Sequence, residues 1–377
     1  MMKKMIDWQR IWDDDGNTGY YSPVKIIANI LSFFYRFIIN FRNWLYDKRI
    51  LKETALPCLV ISVGNITVGG TGKTPCVIML AQMLRENGFK PAVISRGYGG
   101  EKINPVNIVS DGREILLDSR IAGDEPFLIA QELKNIPVLT GAKRILTGKT
   151  AVNQFGANVL ICDDAMQHRQ IFRDINLVLL DSRSLSEKNH ILPRGRLREP
   201  MTELKRASAI VITRTDEAIE TGQIEKLFPA EKIPVFRSIH KPNDIIKGDY
   251  RARKQVSELK GKKVCAFCGI ANPNSFRKTL SDAGAQVLSF DVFPDHHSYS
   301  KNELEKIRNR FIDCQADFIV STQKDGARLQ NFPEFLNMIY ILRIEMEIIP
   351  KSDSFNKFIL DRLAGARQNK PTTRKPA

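Results

Sequence analysis

The chain has 377 residues, long enough for two domains of ordinary size, and with 43% hydrophobic and 26% charged residues it reads as globular. A formal net charge of +15 and a pI near 9.5 call for an anionic partner: nucleic acid, an acidic membrane surface or a phosphorylated substrate. Six scattered cysteines, four of them inside apolar runs, point to reduced, buried thiols in a cytosolic compartment and away from a disulfide scaffold.

The stretch Met1 to Tyr21 is polar, and its basic start runs into Asp13, Asp14 and Asp15 where a cleavable signal would have an apolar core. From Pro23 to about Lys52, Ile27, Ile30, Leu31, Phe34, Phe37, Ile38, Phe41, Trp44 and Leu45 recur at spacings of three and four, which predicts one long amphipathic helix. Arg36 and Arg42 interrupt any uncharged run of spanning length. The helix either packs on the core or lies in a lipid headgroup region. Its stripe of Phe, Ile and Trp, opposite Lys25, Arg36, Arg42 and Lys48, fits the second reading.

Val60 to Asn65 predicts a strand running into Ile66-Thr67-Val68-Gly69-Gly70-Thr71-Gly72-Lys73-Thr74, and Val77 to Leu84 carries a helical apolar pattern. Strand, glycine-rich loop and helix in that order make a phosphate cradle: backbone N–H groups converge on an oxyanion at a helix N-terminus. Gly69, Gly70, Thr71 and Gly72 form the cradle; Lys73 would reach the β- and γ-phosphates of a nucleotide, and the Thr74 hydroxyl would help to hold Mg²⁺. The usual pattern has glycine where this chain has Thr67. Further on, Pro91 to Ser95 predicts a strand leading into Arg96-Gly97-Tyr98-Gly99-Gly100, and Val106 to Ser110 an arm of a β-hairpin turning at Asp111-Gly112. Gly123-Asp124-Glu125-Pro126 opens a helix, with Asp124 placed either to cap it or to act chemically.

Asn158 to Cys162 is the continuous apolar run of a strand buried on both faces, and it ends in Asp163-Asp164-Ala165-Met166-Gln167-His168. A carboxylate at that edge of an open sheet is the expected partner of a nucleotide-bound Mg²⁺. Two more strands, at Ile175 to Asp181 and Ala209 to Thr213, complete the pattern of a doubly wound α/β sheet. Leu192 to Pro200 is a basic loop, either a solvated turn or an anion contact. A polar, basic shift at Ile239 to Gly261 marks a boundary or crossover. A second, smaller α/β unit follows, with strands at Val264 to Cys268 and Phe318 to Ser321 and the loop Phe293-Pro294-Asp295-His296-His297. Cys265 and Cys268 form a CxxC inside a strand, which reads as core packing, with a redox role as the other possibility. The last ten residues read as a disordered basic tail.

Together SVGNITVGGTGKTP, ISRGYGG, GDEP, DDAMQHRQIFRD, ILPRGRLREP, GIANP, FPDHHSYS and TQKDGARL, in that order over roughly residues 56 to 330, resemble the tetraacyldisaccharide 4'-kinases, which phosphorylate the lipid A disaccharide precursor. The family's loop also lacks the glycine at Thr67; it commonly has Gly-Phe where this chain has Ala165-Met166. The resemblance implies a phosphate-loop kinase fold: an amphipathic membrane helix within residues 1–52, a nucleotide-binding core at 53–240, and a second α/β domain at 241–367. It implies ATP bound by Lys73 and the loop, Mg²⁺ held by Thr74, Asp163, Asp164 and Gln167, and Asp124 as general base paired with His296 across the cleft. Arg96 and Tyr98 would face the lipid. The anionic partner is then the lipid A precursor and the cytoplasmic face of the inner membrane, with peripheral attachment and no nucleic acid. A different class of function stays open on one segment. Thr322-Gln323-Lys324-Asp325 follows a strand like the base-reading Thr/Asn-Lys-x-Asp of GTP-binding switch proteins, the signature of a regulatory GTPase or metallochaperone.

Overall fold

The computed structural model describes residues 23–101, 103–183, 190–216, 233–350 and 353–369. The polar stretch Met1 to Tyr21 and all of the basic tail beyond residue 369 lie outside them.

The core grows from strand β1 (Leu59–Asn65), every residue of which is buried. A run of this kind is stable only when both faces are covered, and neighbours supply that cover. β2 (Pro91–Ser95), β4 (Val138–Thr140), β5 (Val159–Asp163), β6 (Ile175–Asp181) and β7 (Ala209–Thr213) align parallel in the order β4-β2-β5-β1-β6-β7. The expected hairpin arm is strand β3 (Asn107–Ser110), with its turn fixed by Arg113 and Glu114 N–H groups donating to Asp111; its ladder partner is β4, antiparallel. Helices α2 (Lys73–Glu86), α3 (Ser119–Ala122), α4 (Asp124–Glu132) and α5 (Arg144–Phe155) connect and cover these strands.

The expected crossover near residue 240 falls inside a strand. β8 (Val235–Lys247) begins parallel to β7, then continues as the antiparallel partner of β13 (Ile339–Ile349), so one sheet runs through both units. The ladder slips between Arg343 and Ile344, opposite Asp244 and Pro242. Proline has no N–H to give, so the pairing breaks and bulges at that point. β9 (Arg253–Gln255) pairs beside β8. Beyond β13 the sheet order is β12 (Phe318–Thr322), β10 (Lys263–Cys268) and β11 (Gln286–Val292). Around them lie α6 (Pro273–Asp282), α7 (Lys301–Asp313), α8 (Gln323–Arg328) and α9 (Pro333–Leu336). Cys265 and Cys268 are buried in β10, and burial pushes the Cys268 thiol up to about 12, which removes the thiolate that redox exchange needs. The final helix α10 (Ser354–Asn369), expected with the second unit, returns to the first: Phe355, Ile359 and Leu363 enter the core with Leu59, Ile61 and Leu177.

The predicted amphipathic helix is α1 (Pro23–Asp47), and its orientation bears on the core-packing reading. Its polar side faces the protein. The Ser32 hydroxyl donates to the Ile191 carbonyl at 2.9 Å, Arg42 pairs at 2.6 Å with the fully buried Glu199, and Asn43 donates to Glu203 at 2.8 Å. Glu199 also pairs with Arg206, and Arg169 ties Asp47 and Glu53 at the helix end. The apolar stripe faces outward: Phe33, Phe34, Phe37, Ile38 and Phe41 are all more than half exposed, and Phe37, Phe41 and Trp44 stack along the surface. Packing of that stripe on the core is therefore excluded.

Candidate active site

The phosphate loop is held from three sides. The Val68 N–H donates to the Arg196 carbonyl and the Arg198 N–H to the Ile66 carbonyl, with Thr67 bridged to Leu197. Thr67 thus sits in extended pairing, where any side chain is tolerated, and this explains why no glycine is required there. The positive φ angles fall on Gly69 (118°) and Gly72 (83°) instead. A Cβ on Gly72 would lie 2.6 Å from His240 Nε2 of β8, a closeness only glycine permits. From the far side Asn65 donates to the Thr71 hydroxyl at 3.0 Å, the Thr213 hydroxyl to the Thr71 carbonyl at 3.1 Å and Arg214 to the Gly70 carbonyl at 2.9 Å. Lys73 and Thr74 open α2 behind Gly72, and Thr74 is buried.

The register of β1 against β5 brings Val63 beside Asp163, so the aspartate pair reaches the same edge as the loop. The two carboxylates have different surroundings. Asp164, at a left-handed φ of 47°, pairs with Lys73 at 3.4 Å and Arg198 at 3.0 Å. Burial alone would raise it, but the charges of Lys73 and Arg198 outweigh that and hold it below the usual carboxylate range. Asp163 is buried with Oδ1 unpaired, and burial together with Glu125 and Asp164 pushes it up to about 7. An orphaned, buried carboxylate oxygen at a phosphate loop is the donor a cation would satisfy. Gln167 donates from Nε2 to the Asn65 carbonyl at 2.9 Å. Among the described residues no three His, Cys, Asp or Glu side chains cluster as a self-sufficient metal site.

Asp124 does not cap its helix; Gly123 holds the N-cap position, and the Asp124 carboxylate reaches out toward the second unit. His296, at φ 60° in the loop after β11, brings Nδ1 to 3.4 Å from Asp124 Oδ2 across 172 residues of chain. Between them stands Arg328 of α8, whose Nε donates to Asp124 Oδ2 at 2.7 Å and whose Nη2 lies 3.3 Å from His296 Nδ1. Burial would raise Asp124, yet the contacts with His296 and Arg328 hold it low. Beside it, Glu125 pairs with Lys324 at 2.7 Å, and that charge, against a cost of burial, keeps Glu125 ionised.

A family model described as tetraacyldisaccharide-1-P 4'-kinase matches residues 24–364. The chain belongs to this family. A tetraacyldisaccharide 4'-kinase from Syntrophus aciditrophicus is 44% identical over 364 residues, 94% of this chain and 97% of the relative. One from Desulfatibacillum aliphaticivorans is 38% identical over 357 residues, 93% and 95% of the two chains. A crystal structure of "apo" form LpxK from Aquifex aeolicus in complex with ATP is similar at a TM-score of 0.75 and 33% identity, covering 90% of this chain and 99% of that one. The chain is a phosphotransferase with a hydroxyl acceptor.

Within this kinase the segment Thr322 to Asp325 has structural work. The Thr322 hydroxyl caps α8, Gln323 donates to Glu132, Lys324 pairs with Glu125, and Asp325 accepts from the Gly269 N–H and the Tyr299 hydroxyl. The segment joins the two units, and the switch-protein reading loses its basis. Met166 lies fully buried over Gly64, where a Cβ would meet Met166 Cβ at 2.6 Å, so Ala165-Met166 fits the loop after β5. Arg96 and Tyr98 are brought to an open rim and both are exposed, Tyr98 at 80%. Arg144 adds a buried guanidinium there, lowered by burial and carrying an unpaired Nε, and burial with its charge brings His168 down to about 4. Sequence reasoning missed Arg144 and Arg328, and it singled out Lys324 only as part of a base-reading segment and Arg198 only as part of a basic loop.

Proposed function

We propose that the chain transfers the γ-phosphoryl group of ATP to the 4'-hydroxyl of a tetraacylated disaccharide 1-phosphate, with Asp124 as the base that receives the hydroxyl proton. The observation that carries this reading is the meeting of Asp124 with His296 and Arg328 at the mouth between the units, one residue from a Glu125 that feels the charges of Lys73 and Asp164. A carboxylate so close to a phosphate loop is where an in-line acceptor needs it.

Lys73 leaves Asp164 for the β- and γ-phosphate oxygens and follows the charge that develops during transfer. Backbone N–H groups of Gly69 to Thr74 cradle the β-phosphate. Asp163 suits a cation through its unpaired Oδ1, with Thr74 and Gln167 as further ligands and Asp164 as a neighbour held by Arg198. Magnesium, when bound, supplies charge neutralisation on the phosphates. Asp124 stays ionised under the contacts of Arg328 and His296, takes the proton and passes it to solvent through the half-exposed His296. Arg96 and Tyr98, with the positive charge of Arg144 behind them, form the acceptor side.

The outward stripe of α1 supports peripheral attachment to an anionic membrane, with the basic surface adding a screened attraction. The test is incubation with labelled ATP and a lipid A disaccharide 1-phosphate in mixed micelles. A bisphosphorylated lipid is expected, and the D124N variant should not make it. ATP hydrolysis without labelled lipid would overturn the reading.

A further inference from the structure

Arg328 is only 5% exposed, and each face of its guanidinium has a partner. Nε donates to Asp124 Oδ2 at 2.7 Å; Nη1 donates to the Gly269 carbonyl at 2.6 Å and to Asp325 Oδ1 at 3.2 Å; Nη2 meets His296 Nδ1 at 3.3 Å, with Asp295 beyond at 3.9 Å. A guanidinium can only donate. In the tautomer that carries its proton on Nε2, His296 accepts from Arg328 at Nδ1. Asp124 Oδ2 and His296 Nδ1 lie 3.4 Å apart and share one guanidinium. Among the described residues Asp124 Oδ1 makes no hydrogen bond, and the carboxylate is one-quarter exposed on the cleft side.

We propose that Arg328 is a positioning residue for phosphoryl transfer: it clamps Asp124 Oδ2 and the His296 ring on one guanidinium and leaves Oδ1 as the oxygen that meets the acceptor hydroxyl. The clamp rests on the reading of Asp124 as the base. It is anchored from behind by Asp325, which the Tyr299 hydroxyl holds at 2.8 Å. It also spans the units, since Asp124 comes from α4 and the other groups from α8, the loop before α6 and the loop after β11. The charged and titratable groups around Asp124 are Arg328, Asp325 and Lys324 on α8, His296 and Asp295 on their loop, and Glu125 on its own helix. Arg328 is the cation in direct contact with the carboxylate, so its removal should weaken the ionised form.

Turnover is measured from pH 5 to 9 with ATP and the disaccharide 1-phosphate for the wild type, R328Q, R328K and D124N, together with the Tm of each. In R328Q, kcat should fall about 100-fold with KM for ATP within about twofold, the usual scale for a displaced general base. The acid limb of kcat/KM should move up by about 1 to 2 on the pH scale, the size of effect an adjacent opposite charge exerts. In R328K the charge returns and the limb should return with it. Turnover should stay about tenfold low, because one ammonium cannot span Oδ2, the Gly269 carbonyl and the imidazole. An R328Q enzyme whose rate loss follows its Tm while the acid limb stays put would reduce Arg328 to a structural tie and overturn the proposal. If R328Q does not fold, R328K decides: wild-type kcat overturns the clamp, and a tenfold loss at preserved Tm upholds it. D124N separates the two readings. An active D124N removes the base itself, whereas an inactive D124N beside a fully active R328Q removes only the clamp.

Discussion

Lys73 rests 3.4 Å from Asp164, an exchangeable partner it can leave for a γ-phosphate. K73A should lower single-turnover transfer by about 3 kcal/mol or more, since contacts of this kind strengthen where charge develops; near-normal turnover would remove the phosphate-loop assignment. Asp163 makes a prediction of opposite character. Its folded carboxyl is raised to about 7, so in metal-free protein its contribution is fully present below the unfolded value near 4 and is lost as pH rises to 7. D163N cannot ionise, so its Tm should gain on that of the wild type steadily between pH 4 and 7, as read by thermal scans without divalent ions. A constant gap across that window would show that Asp163 is not buried as an acid. Lys73, Thr74 and the aspartate pair were legible because strand, loop and helix follow each other within a few residues. Arg328 was not, because Asp124 and His296 lie 204 and 32 residues away from it and no local period records such a contact.

At the scale of the element, the amphipathic pattern of α1 gave the stripe but not its direction, since a helical period is the same whether the apolar face turns inward or outward. The direction comes from Glu199, fully buried and two residues before Met201, which needs Arg42 from α1. Replacing Phe34, Phe37 and Phe41 by serine should release the protein from lipid vesicles at every salt concentration, because apolar burial is not screened. Retained sedimentation at high and low salt alike would exclude α1 as the membrane element. R42Q should behave differently from an exposed charge change. It leaves Glu199 with Arg206 alone and should cost about 2 kcal/mol of folding stability, less than a complete break of a buried pair because one partner remains. Denaturant titration of R42Q at unchanged stability would show that the helix is held by other contacts.

For the whole molecule, the division into two α/β units was readable from alternating strands and helices, but their union into one sheet was not. It depends on β8 and β13, which pair across about a hundred residues, and distant antiparallel pairing leaves no local trace. The joint carries a buried ion group: Arg343 pairs with Asp244 at 2.6 Å and with Glu132 of α4 at 2.7 Å. R343M leaves Asp244 with Arg253 and Glu132 with Gln323, so it should destabilise by about 2 kcal/mol, and turnover should fall with it because the same helix carries Asp124. Equal denaturation midpoints for R343M and wild type would show that this contact does not hold the units together. The strip from Ile191 to Glu199 has a further consequence. It carries α1 on one side through Ser32 and Arg42, and grips the phosphate loop on the other through Val68, Thr67 and Ile66. One strip of chain therefore ties α1 to the glycine-rich loop, so that a shift in how the helix is seated is passed directly to the loop.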